Sequence, residues 1–204
     1  MIRTEPTIAK MSNTASLDMA VLPDIERERL HLSLAEEIIS TERVQRDGLR
    51  EIFLPAGTGE IEAMQALNVY FRAFVPDLHR GAIPEYDLNK YSQYNSALIQ
   101  DSDRGIHIKI YPIVEESIAK KRNLQAQILR ELNLRLAKPA QVALILAVFA
   151  CKNKGESLIG NYQVRTTAPD SVISANKYSG ICHLHRRDNF ININIGVAAS
   201  ASHE

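Results

Sequence analysis

Ile106-His107-Ile108-Lys109-Ile110-Tyr111 is the stretch on which the reading of the fold turns. Apolar and polar-capable residues alternate along it, so an extended backbone puts the three isoleucines on one face and His107, Lys109 and Tyr111 on the other. This is the pattern of a half-buried strand. Upstream the period is helical. Ile25, Leu32 and Ile39, with Leu34, Ala35 and Ile38, predict a helix over 24–46 that Asp24 can cap and Gly48 weakens. After the short apolar segment Leu49–Leu54, the breakers Pro55, Gly57 and Gly59 lead into Ile61, Met64, Asn68, Phe71 and Val75, widened by Leu67 and Phe74. These predict a second helix that Pro76 stops. A tyrosine-bearing helix is expected over 86–99.

Downstream, Val114, Ile118, Gln125, Ile128, Leu132 and Leu136 return to helical spacing and predict one long helix ended by Lys138 and Pro139. Ala140–Cys151 is a continuous apolar run that shows no face, compatible with a central strand or a buried helix. Its β-branched residues favour a strand. Alternation at Tyr162, Val164 and Thr166 suggests another, and Ile181–His185 with Ile191–Ile195 read as a hairpin. Helices gathered in the N-terminal half and strands following one another imply an α+β fold, with a mostly antiparallel sheet of about five strands and helices packed on one face. The expected organisation is a flexible N-terminal arm over 1–22, one globular domain over 23–197 and a short C-terminal tail over 198–204.

Lys plus Arg equals Asp plus Glu at 24 each, so no global field draws the chain to nucleic acid or an anionic membrane. The one tight basic run, Lys120-Lys121-Arg122, lacks the interleaved aromatics that stack single-stranded bases and reads as a solvated helix face. Cys151 and Cys182 are too few for a disulfide framework, and thiols are expected. Met1–Leu22 lacks the apolar segment of a secretory signal, and Val142–Cys151 is about half the roughly 20 residues of a membrane helix. A soluble, cytoplasmic protein without a membrane span is expected.

Cys182, His183 and His185 form the densest cluster of chemically capable residues. Strand alternation groups the two histidines and sets Cys182 apart, so they could share a metal only with help, and His107 could supply it if its strand were a neighbour. A solvated strand face is the simpler reading, with no metal and no cofactor. Ala56-Gly57-Thr58-Gly59 outlines a phosphate cradle but lacks the Lys-Ser or Lys-Thr of a P-loop, and reads as a helix-entry turn. Asp101, Asp103 and Gly105 open like a calcium loop, yet Ile106 stands where such a loop needs glycine.

The function expected is therefore that of a non-catalytic protein-binding protein. An adaptor or chaperone-like subunit of a larger cytosolic complex, secretion-related assemblies included, would present the arm or the Phe71 and Phe74 region to a protein partner. The alternative is a small hydrolase or transferase using His107, His183, His185 and Cys182, with or without a metal.

Overall fold

The computed structural model describes residues 24–75, 104–168, 171–176, 180–186 and 194–201. The arm over 1–22, the tyrosine-bearing helix over 86–99, and Asp101 and Asp103 lie outside these residues. The N-terminal part runs α1 (Asp24–Ser40), β1 (Arg43–Val44), β2 (Arg50–Leu54), α2 (Glu60–Phe74) and β3 (Ile106–Tyr111). A single 3-10 turn at Glu115–Ser117 leads to α3 (Arg122–Glu131), β4 (Leu134–Leu136) and α4 (Pro139–Lys152). Then come β5 (Gln163–Arg165), β6 (Ser171–Asn176), β7 (Gly180–Arg186), β8 (Ile195–Val197) and β9 (Ala199–Ala201).

Five strands form an antiparallel sheet in the order β1-β2-β3-β9-β4, and four form a second sheet in the order β7-β6-β5-β8, antiparallel except for β5 beside β8. The fold is α+β, as the switch of period implies. In the first sheet Ile52 lies opposite Ile108, and the period of two puts Ile52, Leu54, Ile108 and Ile110 on one buried face. They share a core with Ile38 of α1, Met64, Leu67 and Phe71 of α2, and most of α4. The other face carries Glu51, Phe53, His107, Lys109 and Tyr111, exposed or half-buried. At its far end, Tyr111, Leu134, Leu136 and Ala199 pack with Ile128 and Leu129 of α3 in a second cluster.

Five expectations are corrected. Ala140–Cys151 is helical, as α4. Proline at the first helical position has its φ already set and needs no N–H partner, and the Lys138 backbone N–H donates to Gln141 Oε1 at 3.0 Å. The run also exceeds the usual length of a buried strand, and Ala140, Ala143, Ala147 and Ala150 recur at helical spacing, which outweighs its β-branched content.

The single long helix over 114–136 is instead a turn, a short helix and a strand. Ala119 at φ 60° and Asn133 at φ 52° adopt the left-handed conformation, which a continuing helix does not contain. Likewise α1 stops at Ser40. The Thr41 hydroxyl donates to the Ile38 carbonyl at 2.7 Å and accepts from the Phe53 N–H at 2.9 Å, tying the helix end to β2 before β1 begins.

Of the expected hairpin of Ile181–His185 with Ile191–Ile195, residues 191–193 lie outside the described residues; among those described, β7 pairs with β6, the strand just before it, and Ile195 belongs to β8, which lies parallel to β5 and not beside β7. Finally, residues 199–201 are no tail: β9 fills the place between β3 and β4, with Ala198 and Ala199 fully buried. A run of alanine and serine carries little apolar signal, yet its small side chains suit a crowded central strand.

Two local constraints hold the parts together. Gly105 has φ +77°, and a Cβ there would come within 2.3 Å of the Phe53 ring, so only glycine fits at the entrance to β3. In the second region, the buried Gln125 side chain donates from Nε2 to the carbonyls of Ser117 at 2.9 Å and Ile195 at 3.3 Å, while its Oε1 accepts from Arg165. The Ser117 hydroxyl donates to the Val114 carbonyl and accepts from the Val197 N–H at 2.9 Å. One polar network thus joins the 3-10 turn, α3, β5 and β8.

Replacing Ile108 by Ala should destabilise the protein by about 2 to 5 kcal/mol, seen as a lower urea midpoint with unchanged slope. An unchanged midpoint would show that β3 is not core. Gln125→Leu should cost about 1 to 3 kcal/mol by stranding two carbonyls and the Arg165 guanidinium, and undiminished stability in the same assay would show the network to be dispensable.

Candidate docking cleft

The connection between β1 and β2 is short because the Gln45 N–H donates to the Leu49 carbonyl at 2.9 Å and the Gly48 N–H to the Gln45 carbonyl at 3.1 Å, with Gly48 at φ 87°. Asp47 sits at the tip. Its Oδ1 accepts from the Leu49 N–H at 3.2 Å, and its Oδ2 accepts from the Tyr111 hydroxyl at 2.7 Å, across from the end of β3. The phenol's hydrogen bond, followed by that of the Leu49 N–H, holds the Asp47 carboxyl below the usual aspartate value. The same bond raises the Tyr111 phenol.

Behind this pair a cleft of about 490 Å³ opens at the end of the first sheet. Val44, Ile113, Leu132, Leu134 and Leu158 give it apolar walls, and Asp47, Glu115 and Glu116 stand around it as carboxylates. Val44 and Leu132 are exposed apolar residues, 56% and 47% accessible. Arg50 also lines the cleft, but its guanidinium is 2.6 Å from Glu42 Oε1 and lies over the Phe149 ring at 4.9 Å from its centroid. The other Glu42 oxygen takes Lys152 at 3.1 Å. A second cavity of about 410 Å³, between α1 and α2, is bordered by Arg27 and Arg72 as well as Asp24 and Glu28, so neither sign of charge prevails there.

The residues singled out from sequence are dispersed. His107 is exposed on β3 and stacks on Phe53, ring centroids 4.8 Å apart. His183 and His185 occupy β7 positions opposite Ser174 and Val172 in the other sheet, with Cys182 beside them, and their side chains lie outside the description. β3 pairs with β2 and β9, whereas β7 pairs with β6, so no strand pairing brings His107 to the other two histidines. Among the described residues no three His, Cys, Asp or Glu side chains are grouped to hold a metal ion.

Phe71 is buried in the core and presents nothing to a partner; this corrects its reading as an interface residue. Phe74 is 56% exposed and rests on Tyr70, centroids 4.6 Å apart. Lys120, Lys121 and Arg122 are exposed, just before and at the start of α3. The Cys151 thiol is buried, donates to the Leu67 carbonyl at 3.6 Å, and is pushed up to about 12 by burial, which keeps it an unreactive packing group.

Sequence reasoning missed Glu60. The Ala56–Gly59 segment is a helix-entry turn, with the Thr58 N–H donating to the Pro55 carbonyl at 3.1 Å and Gly57 at φ 80°. The first residue of the helix it opens is Glu60, 1% exposed, whose Oε1 has no hydrogen-bond partner. Burial raises its carboxyl to about 7, against the pull of the Lys138 ammonium. A glutamate at a helix start is ordinarily a solvated partner of the helix dipole, so nothing local marks this one as buried.

No protein-family model, curated protein or solved structure matches this chain. Among the described residues, no helix is long and apolar enough to cross a membrane.

Glu60 makes stability depend on pH in a defined direction. Its folded value of about 7 lies above the ordinary glutamate value, so between roughly pH 4.5 and 7 the folded state holds the proton that the unfolded state has lost. Stability from this group is therefore full below about pH 4.5 and declines as pH rises through 7, by at most about 3 kcal/mol. Urea midpoints measured across pH 4 to 8 should show this decline in the parent and a flatter profile in Glu60→Gln; superimposable profiles would refute the assignment.

Proposed function

We propose that the protein is a non-catalytic binding protein, an adaptor or chaperone-like subunit of a cytosolic complex, and that it receives a protein partner at the cleft between the β1–β2 turn and the start of β4. The observation that carries this reading is the cleft itself. Its walls come from backbone-fixed elements, namely a tight turn, the end of β3, the 3-10 turn and β4, so the site is built before anything enters it. A volume of about 490 Å³ falls in the range of side-chain and small-ligand pockets. Apolar walls with exposed Val44 and Leu132 at hand favour a packed contact, because the interior of a stable interface gains most from apolar groups removed from water.

The buried, unpaired thiol of Cys151 accords with a reducing compartment. Balanced charge favours a protein over a nucleic acid as the partner class.

A photo-crosslinking amino acid placed at Leu132 in the full chain should yield a discrete protein adduct in cells, whereas the same group at Ile25, 83% exposed on α1, should not. Leu132→Asp should leave the urea midpoint within about 0.5 kcal/mol of the parent, as exposed substitutions do. It should lower partner recovery at least tenfold, equivalent to about 1.4 kcal/mol or more. Equal recovery by both proteins would remove the cleft from the interaction.

A further inference from the structure

Three carboxylates border the cleft: Asp47 from the β1–β2 turn, and Glu115 and Glu116 from the 3-10 turn. Among the described residues none of the three is ion-paired, and the Glu115 and Glu116 side chains are exposed. Asp47 is kept ionised in place by the Tyr111 hydroxyl at 2.7 Å. Among the described residues Arg50 is the one cation in the lining and is already engaged with Glu42 at 2.6 Å, while Arg46, the neighbour of Asp47, is not part of the lining. Negative charge is thus fixed at the mouth while the walls between are apolar.

That combination selects its occupant. An acidic segment would meet like charge at every approach. A purely apolar one would fill the walls but leave three carboxylates to be partly desolvated without compensation. A lysine or arginine side chain meets both demands, since its aliphatic stem lies along apolar surface while its head remains at the charged rim. Arginine has the further option of stacking on Tyr111.

Resting on the reading of the cleft as a protein-docking site, we infer that its partner presents a basic segment, with arginine or lysine next to a large apolar residue. The apolar side chain enters between Val44, Leu132 and Leu134, and the cations face Asp47, Glu115 and Glu116.

Fluorescence anisotropy with the full chain tests this with a labelled glycine-serine heptapeptide whose centre is Arg-Leu-Arg. Peptides centred on Glu-Leu-Glu and Arg-Ser-Arg serve as comparisons. The Arg-Leu-Arg peptide should bind at least tenfold more tightly than either, and should weaken at least tenfold in Glu115→Gln/Glu116→Gln and on raising salt from 50 to 500 mM. Both substitutions are at exposed positions, and an unchanged urea midpoint verifies the fold.

Equal binding of the three peptides, indifference of the Arg-Leu-Arg peptide to the double substitution, or its displacement by equimolar spermidine would each overturn the inference. So would sedimentation showing that the cleft is filled by a second copy through its own Lys120-Lys121-Arg122 run. A Leu132 crosslink in cells without preference for the basic peptide would sink the inference and leave the docking reading standing; no crosslink and no peptide binding would end both.

Discussion

Everything in this fold is arranged around the burial of α4. Eleven of its fourteen residues are buried, and it packs against α1, α2, β2, β3 and β7, reaching both sheets. A helix apolar on all sides cannot sit on a surface, so neighbours must cover it from every direction. Its alanines at 140, 143, 147 and 150 let those neighbours approach closely, and α2 contributes Ala63 and Ala66 to the same core. The polar ends are handled separately. Gln141 satisfies one backbone donor at the start, and near the other end Cys151 reaches across to α2 while Lys152 reaches Glu42.

The same constraint explains what could be read from residues alone. Periodicity reports asymmetry of burial, so the β3 isoleucines and the stripe of α2 were legible because each has a wet side and a dry one. α4 has no wet side, which leaves length, alanine spacing and Pro139 as its only local signals. β9 offers even less, being short, small-residued and held by pairing with strands far away in sequence. The break of the expected long helix into turn, helix and strand depends on Ser117 and Gln125, whose decisive partners, Val197, Ile195 and Arg165, lie in later strands. No window of sequence contains both halves of that network.

The candidate site was less legible still. Local clustering directed attention to Cys182, His183 and His185, but chemistry needs convergence in space, and β3 and β7 belong to different sheets. The cleft is drawn from the 44–50 turn, the 111–116 segment, residues 132–134 and Leu158, none of which is distinctive by itself. Asp47 becomes notable only when the antiparallel pairing of β2 with β3 brings Tyr111 to it. Phe71 and Phe74 were read together because they share a helix, whereas the packing of that helix separates them, one into the core and the other toward solvent.

The central place of β9 bears on how the chain is made. β3 and β4 have no direct pairing with each other; each completes its hydrogen bonds on the strand that comes last among those described. During synthesis both must wait with an open edge, a template on which another nascent chain can add a strand. Ser200, opposite Ile110 on one side and Arg135 on the other, is therefore the residue at which two exposed edges become one closed sheet. Late closure of this kind raises the sequence separation of the decisive contacts, which slows folding and prolongs the interval in which aggregation competes with it.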